Sequence, residues 1–515
     1  MPETFVIGLD FGSESARGVL IEAGTGRQAA YHAHRYRHGI MTGALPGGRQ
    51  LSAGFALQDA ADYLEAAEII LRAIGAGRDV SGIGVDFTAS SPLPAMSDGR
   101  AMSEIAPDEP HAYVKLWKHG AAQAYAEKIN RAGGSFLDNF GGKVSGEWML
   151  PKAAQIAAEA PELWRRSEKF IEAGDWLVGR LAEREARSLD FAAYKAQYIE
   201  GVGYPDGVVA DFASRLSAPQ PVGSPVGPLS GDWRRRTGIR GEAVVAVAVI
   251  DSHVVLPAVG AYGPGVLVGA LGTSAAYLAL DDAKRPMPAG IEGRAYGAAL
   301  PGLWCYEAGQ AAFGDVLAWF VRTFPQSDDL TENFARYNRE AAALAPDPNR
   351  LLAIDWWNGN RVPYADTALR GLIAGFDLST TAVDIYRALI EGICFGARSI
   401  VDLFRTGGIP VERIVLTSGL AKSNPFLLQT MADVLGQPVH VPEIENATCV
   451  GAAIHGAVAA GIVSDFRVGA DRLGARSFDA YLPDAARDKA YRQTYARYRE
   501  LSSNAVVRKS LRALP

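Results

Sequence analysis

Phe5-Val6-Ile7-Gly8-Leu9-Asp10-Phe11-Gly12-Ser13-Glu14-Ser15 opens with β composition and then breaks into small and polar residues. Gly18-Val19-Leu20-Ile21 resumes as a return strand before Gly24-Thr25-Gly26 turns again. This order predicts a hairpin with a small-residue tip. A dinucleotide fingerprint would need G-x-G-x-x-G opening a helix, whereas here a strand follows. Backbone amides at such a tip can cradle phosphate oxygens, and a carboxylate just before it can hold Mg2+ through water. For one hairpin alone, an ordinary β-turn with a structural Asp10 is the simpler reading.

The pattern returns roughly half a chain later. Val266-Leu267-Val268-Gly269-Ala270-Leu271 leads to a tip at Gly272-Thr273-Ser274 and a return strand Ala276-Tyr277-Leu278-Ala279-Leu280. Each half then continues with a helical pattern and a buried strand that ends in a polar loop. These are residues 60–74 followed by Ile83-Gly84-Val85-Asp86-Phe87-Thr88, and residues 382–404 followed by Ile414-Val415-Leu416-Thr417-Ser418-Gly419. Ile385, Leu389, Ile393 and Ile400 keep near-helical spacing. Such a duplication predicts two related α/β domains, residues 1–256 and 257–515, facing a cleft, in a chain too long for a single core.

A net charge of −6 repels a polyanion, which excludes a nucleic-acid partner, and Arg234-Arg235-Arg236 reads as a solvated turn. Cys305, Cys394 and Cys449 lie too far apart for a zinc ribbon or a disulfide scaffold, which fits a reducing cytoplasm. Met1-Pro2-Glu3-Thr4 lacks a basic leader segment. The longest apolar stretch, residues 447–463, is mostly Ala and Gly and contains His455, so it reads as close helix packing and not as a membrane span. His32, His34 and His38 alternate, but no Cys or carboxylate completes a metal ligand set.

Asp251 follows the apolar run Ala243-Val244-Val245-Ala246-Val247-Ala248-Val249, at the end of what reads as a central strand, where α/β folds place ligand sites. It is a candidate base or, equally, the cap of a helix over residues 254–259. Lys195, between Phe191-Ala192-Ala193-Tyr194 and Ala196, and Glu307, between Tyr306 and Ala308-Gly309, are charges in apolar settings that call for partners. Trp356-Trp357 reads as core.

Five segments in order resemble the nucleotide-binding elements of sugar kinases with the actin-like ATPase fold. They are the hairpin from Gly8 to Arg17, Asp251, Gly272-Thr273-Ser274, the stretch from Thr417 to Pro425, and Gly451-Ala452-Ala453. Val85-Asp86-Phe87-Thr88, Val114-Lys115-Leu116-Trp117-Lys118-His119, Gly142-Lys143-Val144, Glu147-Trp148-Met149-Leu150-Pro151-Lys152, Tyr194-Lys195-Ala196, Tyr306-Glu307-Ala308-Gly309-Gln310 and residues 355–361 resemble the ribulokinases of the FGGY carbohydrate kinase family. The likeness runs from about residue 5 to about residue 500.

That resemblance implies two duplicated RNase H-like domains and transfer of phosphate from ATP, with Mg2+, to a ketopentose, ribulose at O5 first among them. It makes Asp251 the base and Asp10 the Mg2+ partner. Lys195, Glu307 and the loop of Ala89 would hold the sugar, with Trp117 walling its pocket. Gly12, Gly272, Thr273, Gly314, Gly419 and Asn424 would contact ATP. The chain departs from the family pattern at Ala275-Ala276-Tyr277 and at Phe191, which bears on sugar choice. Kinases for xylulose or ribitol, and actin-like chaperones, filaments or sugar sensors, are the alternatives; a cytoplasmic homodimer without membrane contact is the expected setting.

Overall fold

The first apolar run forms the strand Phe5–Phe11, buried at every position, and returns antiparallel through Ser15–Glu22, so that Asp10 faces Arg17. Strand Val80–Phe87 joins its other edge in parallel and sets Asp86 beside Asp10. A parallel neighbour needs a crossover, and the helix Ala60–Gly75 supplies it. The Asp59 side chain accepts from Ala61 N at its start, and Tyr63, Ala66, Ile70, Leu71 and Ile74 form its buried face. The computed structural model describes residues 3–288, 290–347, 350–417 and 419–512. Ser418 of the polar segment noted above lies outside the described residues.

The first sheet runs Gln28–Arg35, Ser15–Glu22, Phe5–Phe11, Val80–Phe87, Val244–Ala246, Pro225–Pro228, with Val249–Ile250 also pairing Val80–Phe87. The apolar run before Asp251 is thus two short strands and not one. A register shift at Val245/Ala246 breaks it, and Val247 N turns to Ser224 O instead. The second sheet repeats the plan. Gly265–Leu271 and Ala275–Asp281 form an antiparallel hairpin, and Val411–Thr417 lies parallel to the first of them after the helix Ala382–Thr406. The order there is Gly293–Tyr296, Trp304–Gln310, Ala275–Asp281, Gly265–Leu271, Val411–Thr417, Val439–Pro442, Phe478–Tyr481.

Two compact units result, and neither is a single continuous stretch of chain. The first comprises the chain through Tyr262 together with Arg294–Cys305 and Ile444–Ala475; the second comprises Gly263–Gly293, Tyr306–Glu443 and the chain from Arg476. The reason lies in the Ala/Gly stretch. Its helix, Ala447–Ala459, rests on the backbone of the first sheet, because glycines remove the side chains that would hold them apart. A Cβ on Gly8 would stand 1.7 Å from Cys449 O, and one on Gly84 would stand 1.7 Å from Ala452 O. On its other side, a Cβ on Gly451 would meet Val254 O at 1.9 Å.

Two smaller readings change. Arg234-Arg235-Arg236 is the last turn of the helix Gly231–Thr237 and not a loop, because Ser230 caps its start and Gly238, at φ 72°, ends it in the left-handed region. Arg236 pairs there with Glu68. Trp356 is core, whereas Trp357 stacks on Trp319 at 5.6 Å.

Substituting Gly84 tests the close approach of helix to sheet. Gly84→Ala forces the helix off the strand and is expected to cost about 1–3 kcal/mol or more, read as a lower urea midpoint. Gly24→Ala, where a Cβ meets nothing within 4 Å, should change stability by less than about 0.5 kcal/mol.

Candidate active site

Three carboxylic acids gather at the C-terminal ends of neighbouring strands in the first unit. Asp10 is next to last in Phe5–Phe11, Asp86 is its register partner, and Asp251 follows Val249–Ile250, which pairs with Asp86 and Phe87. Asp10 Oδ2 accepts from Thr448 Oγ1 at 2.6 Å and lies 3.4 Å from Arg17 Nε. Asp86 is fully buried, and burial, reinforced by the charges of Asp10 and Asp251, raises its pKa far above the ordinary carboxylate range. Asp251 is pushed up to about 6 by burial and then by the charge of Asp10, while the Ser252 amide and the Lys195 ammonium pull it down.

Asp251 begins the helix Asp251–Ala258 and accepts from Ser252 N at 2.7 Å; Ile250, without a capping side chain, holds the N-cap position. The candidate base is thus the first residue of the helix and not its cap. The junction is locked by a pair that sequence reasoning passed over. Asp190, fully buried, accepts from Ile250 N at 2.9 Å and bonds His253 Nδ1 at 2.7 Å. Asp190 sits on the short helix Leu189–Lys195, so the same contacts fix where Lys195 ends. Lys195 is 7% exposed, and its Nζ stands 6.0 Å from the ring centre of Trp148 and 5.9 Å from that of Tyr194. The pair could have been suspected from an acid and a histidine set among apolar neighbours on either side of the two candidates.

Ala89 follows Val80–Phe87 in a loop whose Ala89–Ser90 peptide is cis. Trp117 is half-buried and donates from Nε1 to Ser13 Oγ at 2.8 Å, which ties it to the first hairpin tip. Gly12 N closes that tip on Ser15 O at 3.1 Å, and Gly12 O accepts from Tyr36 Oη at 3.0 Å. Asp10, Gly12, Ala89, Trp117, Lys195 and Asp251 all belong to the first unit.

The second unit brings together a different set. Gly272 N closes its tip on Ser274 O at 2.9 Å. The start of the helix Gly314–Thr323 docks on that tip, with Phe313 N on Thr273 O at 2.8 Å and Gly314 N on Gly272 O at 3.0 Å. Gly314 can have no side chain there, since its Cβ would fall 2.7 Å from Gly272 O and 3.2 Å from Leu420 Cδ2. Leu420 directly follows Gly419, whose Cα faces open space. Asn424 caps the helix Pro425–Leu435 through Leu427 N at 3.0 Å and donates to Asn338 Oδ1 at 3.1 Å, so its side chain serves the fold. Glu307 lies half-buried in the strand Trp304–Gln310.

Two glycine-closed tips on duplicated sheets suit phosphate binding. Residues 267–460 match the C-terminal domain of the FGGY family of carbohydrate kinases. The chain is 37% identical to a ribulokinase of Mycolicibacterium smegmatis, over 96% of this chain and 93% of that one. The chain belongs to the FGGY family of carbohydrate kinases. A ribulokinase of Halalkalibacterium halodurans is 35% identical over 97% of this chain and 94% of its own. Among solved structures, the xylulose kinase of Rhodospirillum rubrum superposes with a TM-score of 0.81 at 20% identity, covering 97% of this kinase and 99% of its own chain. Plasmodium falciparum glycerol kinase with ADP gives 0.79 at 12% identity, over 98% and 99% of the two chains. These likenesses establish the shared fold of sugar kinases with actin-like ATPase architecture. Among the described residues, no helix is long and apolar enough to cross a membrane.

The titration of Asp251 has a stability consequence of definite sign. Its folded value near 6 exceeds the ordinary 3.8, so ionising it costs folding free energy as pH rises through that window. Asp251→Asn removes the cost. Calorimetry is expected to show the variant melting above the wild type at about pH 8, with the gap closing towards about pH 4; a gap independent of pH would mean that the carboxyl is not strained towards its neutral form.

Proposed function

We propose that this FGGY kinase is a ribulokinase, transferring the γ-phosphoryl group of ATP to O5 of ribulose. The observation that carries the reading is Asp251, a carboxylate at a strand end beside Asp10, in a chain 37% identical to a ribulokinase over nearly its whole length. At neutral pH this group is ionised, yet its pKa near 6 makes it a stronger base than an ordinary carboxylate. It takes the proton from the sugar hydroxyl as that oxygen attacks phosphorus in line. Lys195, Glu307 and the loop of Ala89 hold the sugar hydroxyls, and Trp117 walls the pocket. Lys195 also keeps Asp251 ionised between turnovers through its charge.

ATP is assigned to Gly272, Thr273, Gly314, Gly419 and Asn424 of the second unit, with Gly12 of the first. On this reading the base and most sugar contacts come from the N-terminal part of the chain and most nucleotide contacts from the C-terminal part. Asp10 fits Mg2+. It is a hard oxygen donor, and no group of three His, Cys, Asp or Glu among the described residues forms an all-protein cage; Mg2+ prefers one or two carboxylates with water and substrate phosphates. When bound, the ion offsets phosphate charge. Work as a cytoplasmic homodimer in pentose catabolism, arabinose included, belongs to the same reading.

The test is ADP release by purified protein with Mg-ATP across ketopentoses and polyols. Ribulose is expected to lead, kcat/KM to fall about tenfold per pH unit below about pH 6, and Asp251→Asn to lower kcat by about 10²–10⁴. Preference for xylulose or ribitol would change the substrate. ADP release independent of any sugar would overturn the kinase reading.

A further inference from the structure

Helix Met149–Glu159 carries Lys152 in its first turn, fully buried. Its Nζ donates to three backbone carbonyls, Ser90 O at 2.7 Å, Leu116 O at 3.0 Å and Lys115 O at 3.3 Å. An ammonium has three protons, and all three are used. Ser90 belongs to the loop of Ala89, while Lys115 and Leu116 run directly into Trp117. One side chain thus fixes the distance between two elements that come from separate parts of the chain.

Glu172, at the end of the strand Lys169–Glu172 and 2% exposed, holds the same loop from another side. Its Oε1 accepts from Ser90 Oγ at 2.8 Å and its Oε2 from Ser91 N at 2.7 Å. Burial lowers the pKa of Lys152 to about 7, and the charges of Glu172 and then Glu147 offset only part of that loss. Apolar residues would fill this space with no desolvation penalty, so stability alone does not account for two charges here. What the pair supplies is direction, because saturated buried networks hold their partners in one arrangement.

We propose that Lys152, with Glu172, is a positioning residue for the sugar: it sets the Ala89-Ser90 loop against Trp117 and thereby fixes sugar affinity and choice. The inference rests on the ribulokinase reading of Ala89 and Trp117. The direct contacts of Lys152 are on the sugar side, since none of the three carbonyls lies in a segment assigned to ATP.

The test compares Lys152→Met, Glu172→Gln and Ser90→Ala in the full chain, with ribulose and ATP varied separately, xylulose and ribitol as competing substrates, and ADP affinity measured by calorimetry. Lys152→Met is expected to raise the ribulose KM about tenfold or more and Ser90→Ala about threefold, with ATP KM and ADP affinity held within about twofold. The ratio of kcat/KM between ribulose and xylulose should fall in the same variants. Should Lys152→Met fail to fold, Ser90→Ala and Glu172→Gln decide, since each removes less than a whole side chain. Ribulose constants unchanged within about twofold, or ribulose and ATP constants rising together, overturn the inference while an active wild type leaves the kinase reading standing. A wild type that phosphorylates no sugar overturns both.

Discussion

The contact between the helix Ala447–Ala459 and the first sheet is made backbone to backbone, and the candidate site depends on it. Gly8 and Gly84 let Cys449 and Ala452 settle onto the two strands that carry Asp10 and Asp86, and Gly451 lets the same helix settle onto Val254 in the helix that Asp251 begins. One helix therefore touches the supports of all three acids. It also delivers Thr448 to the Asp10 carboxylate. Close packing of this kind tolerates little adjustment, so the relative placement of the acids is set by the fold and not by their side chains.

Placing three acids at adjacent strand ends creates an electrostatic problem that the surroundings solve unevenly. Arg17 lies 3.4 Å from Asp10, burial pushes Asp86 far above the ordinary carboxylate range, and Asp251 is raised to about 6. Like charges in a buried setting push titrations apart, which gives neighbouring carboxyls different roles without different chemistry. Lys195 completes the balance from the helix anchored by Asp190 and His253.

The hairpins and the duplicated plan were legible because alternating apolar runs broken by small residues have few other readings, and both tips fall where Gly12 and Gly272 close them. The helices Ala60–Gly75 and Ala382–Thr406 followed from apolar spacing. What composition conveys about residues 447–463 is tight packing, but it cannot say against what, and the partner lies some four hundred residues earlier. For the same reason the return of Arg294–Cys305 and Ile444–Ala475 to the first unit and the break in the strand before Asp251 escaped notice, as did the Asp190–His253 lock. Each depends on a long-range neighbour that local pattern does not encode. Asn424, picked out by motif, also caps a helix, a structural use that the motif alone does not announce.

Because the first unit is assembled from distant stretches, the order of synthesis matters. The strands of its sheet are all made once Ile250 leaves the ribosome, yet the helix that covers their glycines ends at Ala459, roughly two hundred residues later. During that interval the nascent sheet has an apolar face without its native cover, the kind of surface that recruits holding chaperones or other unfinished chains. A chain terminated before residue 444 would carry both hairpin tips and every candidate sugar contact and still lack the element that closes its first sheet.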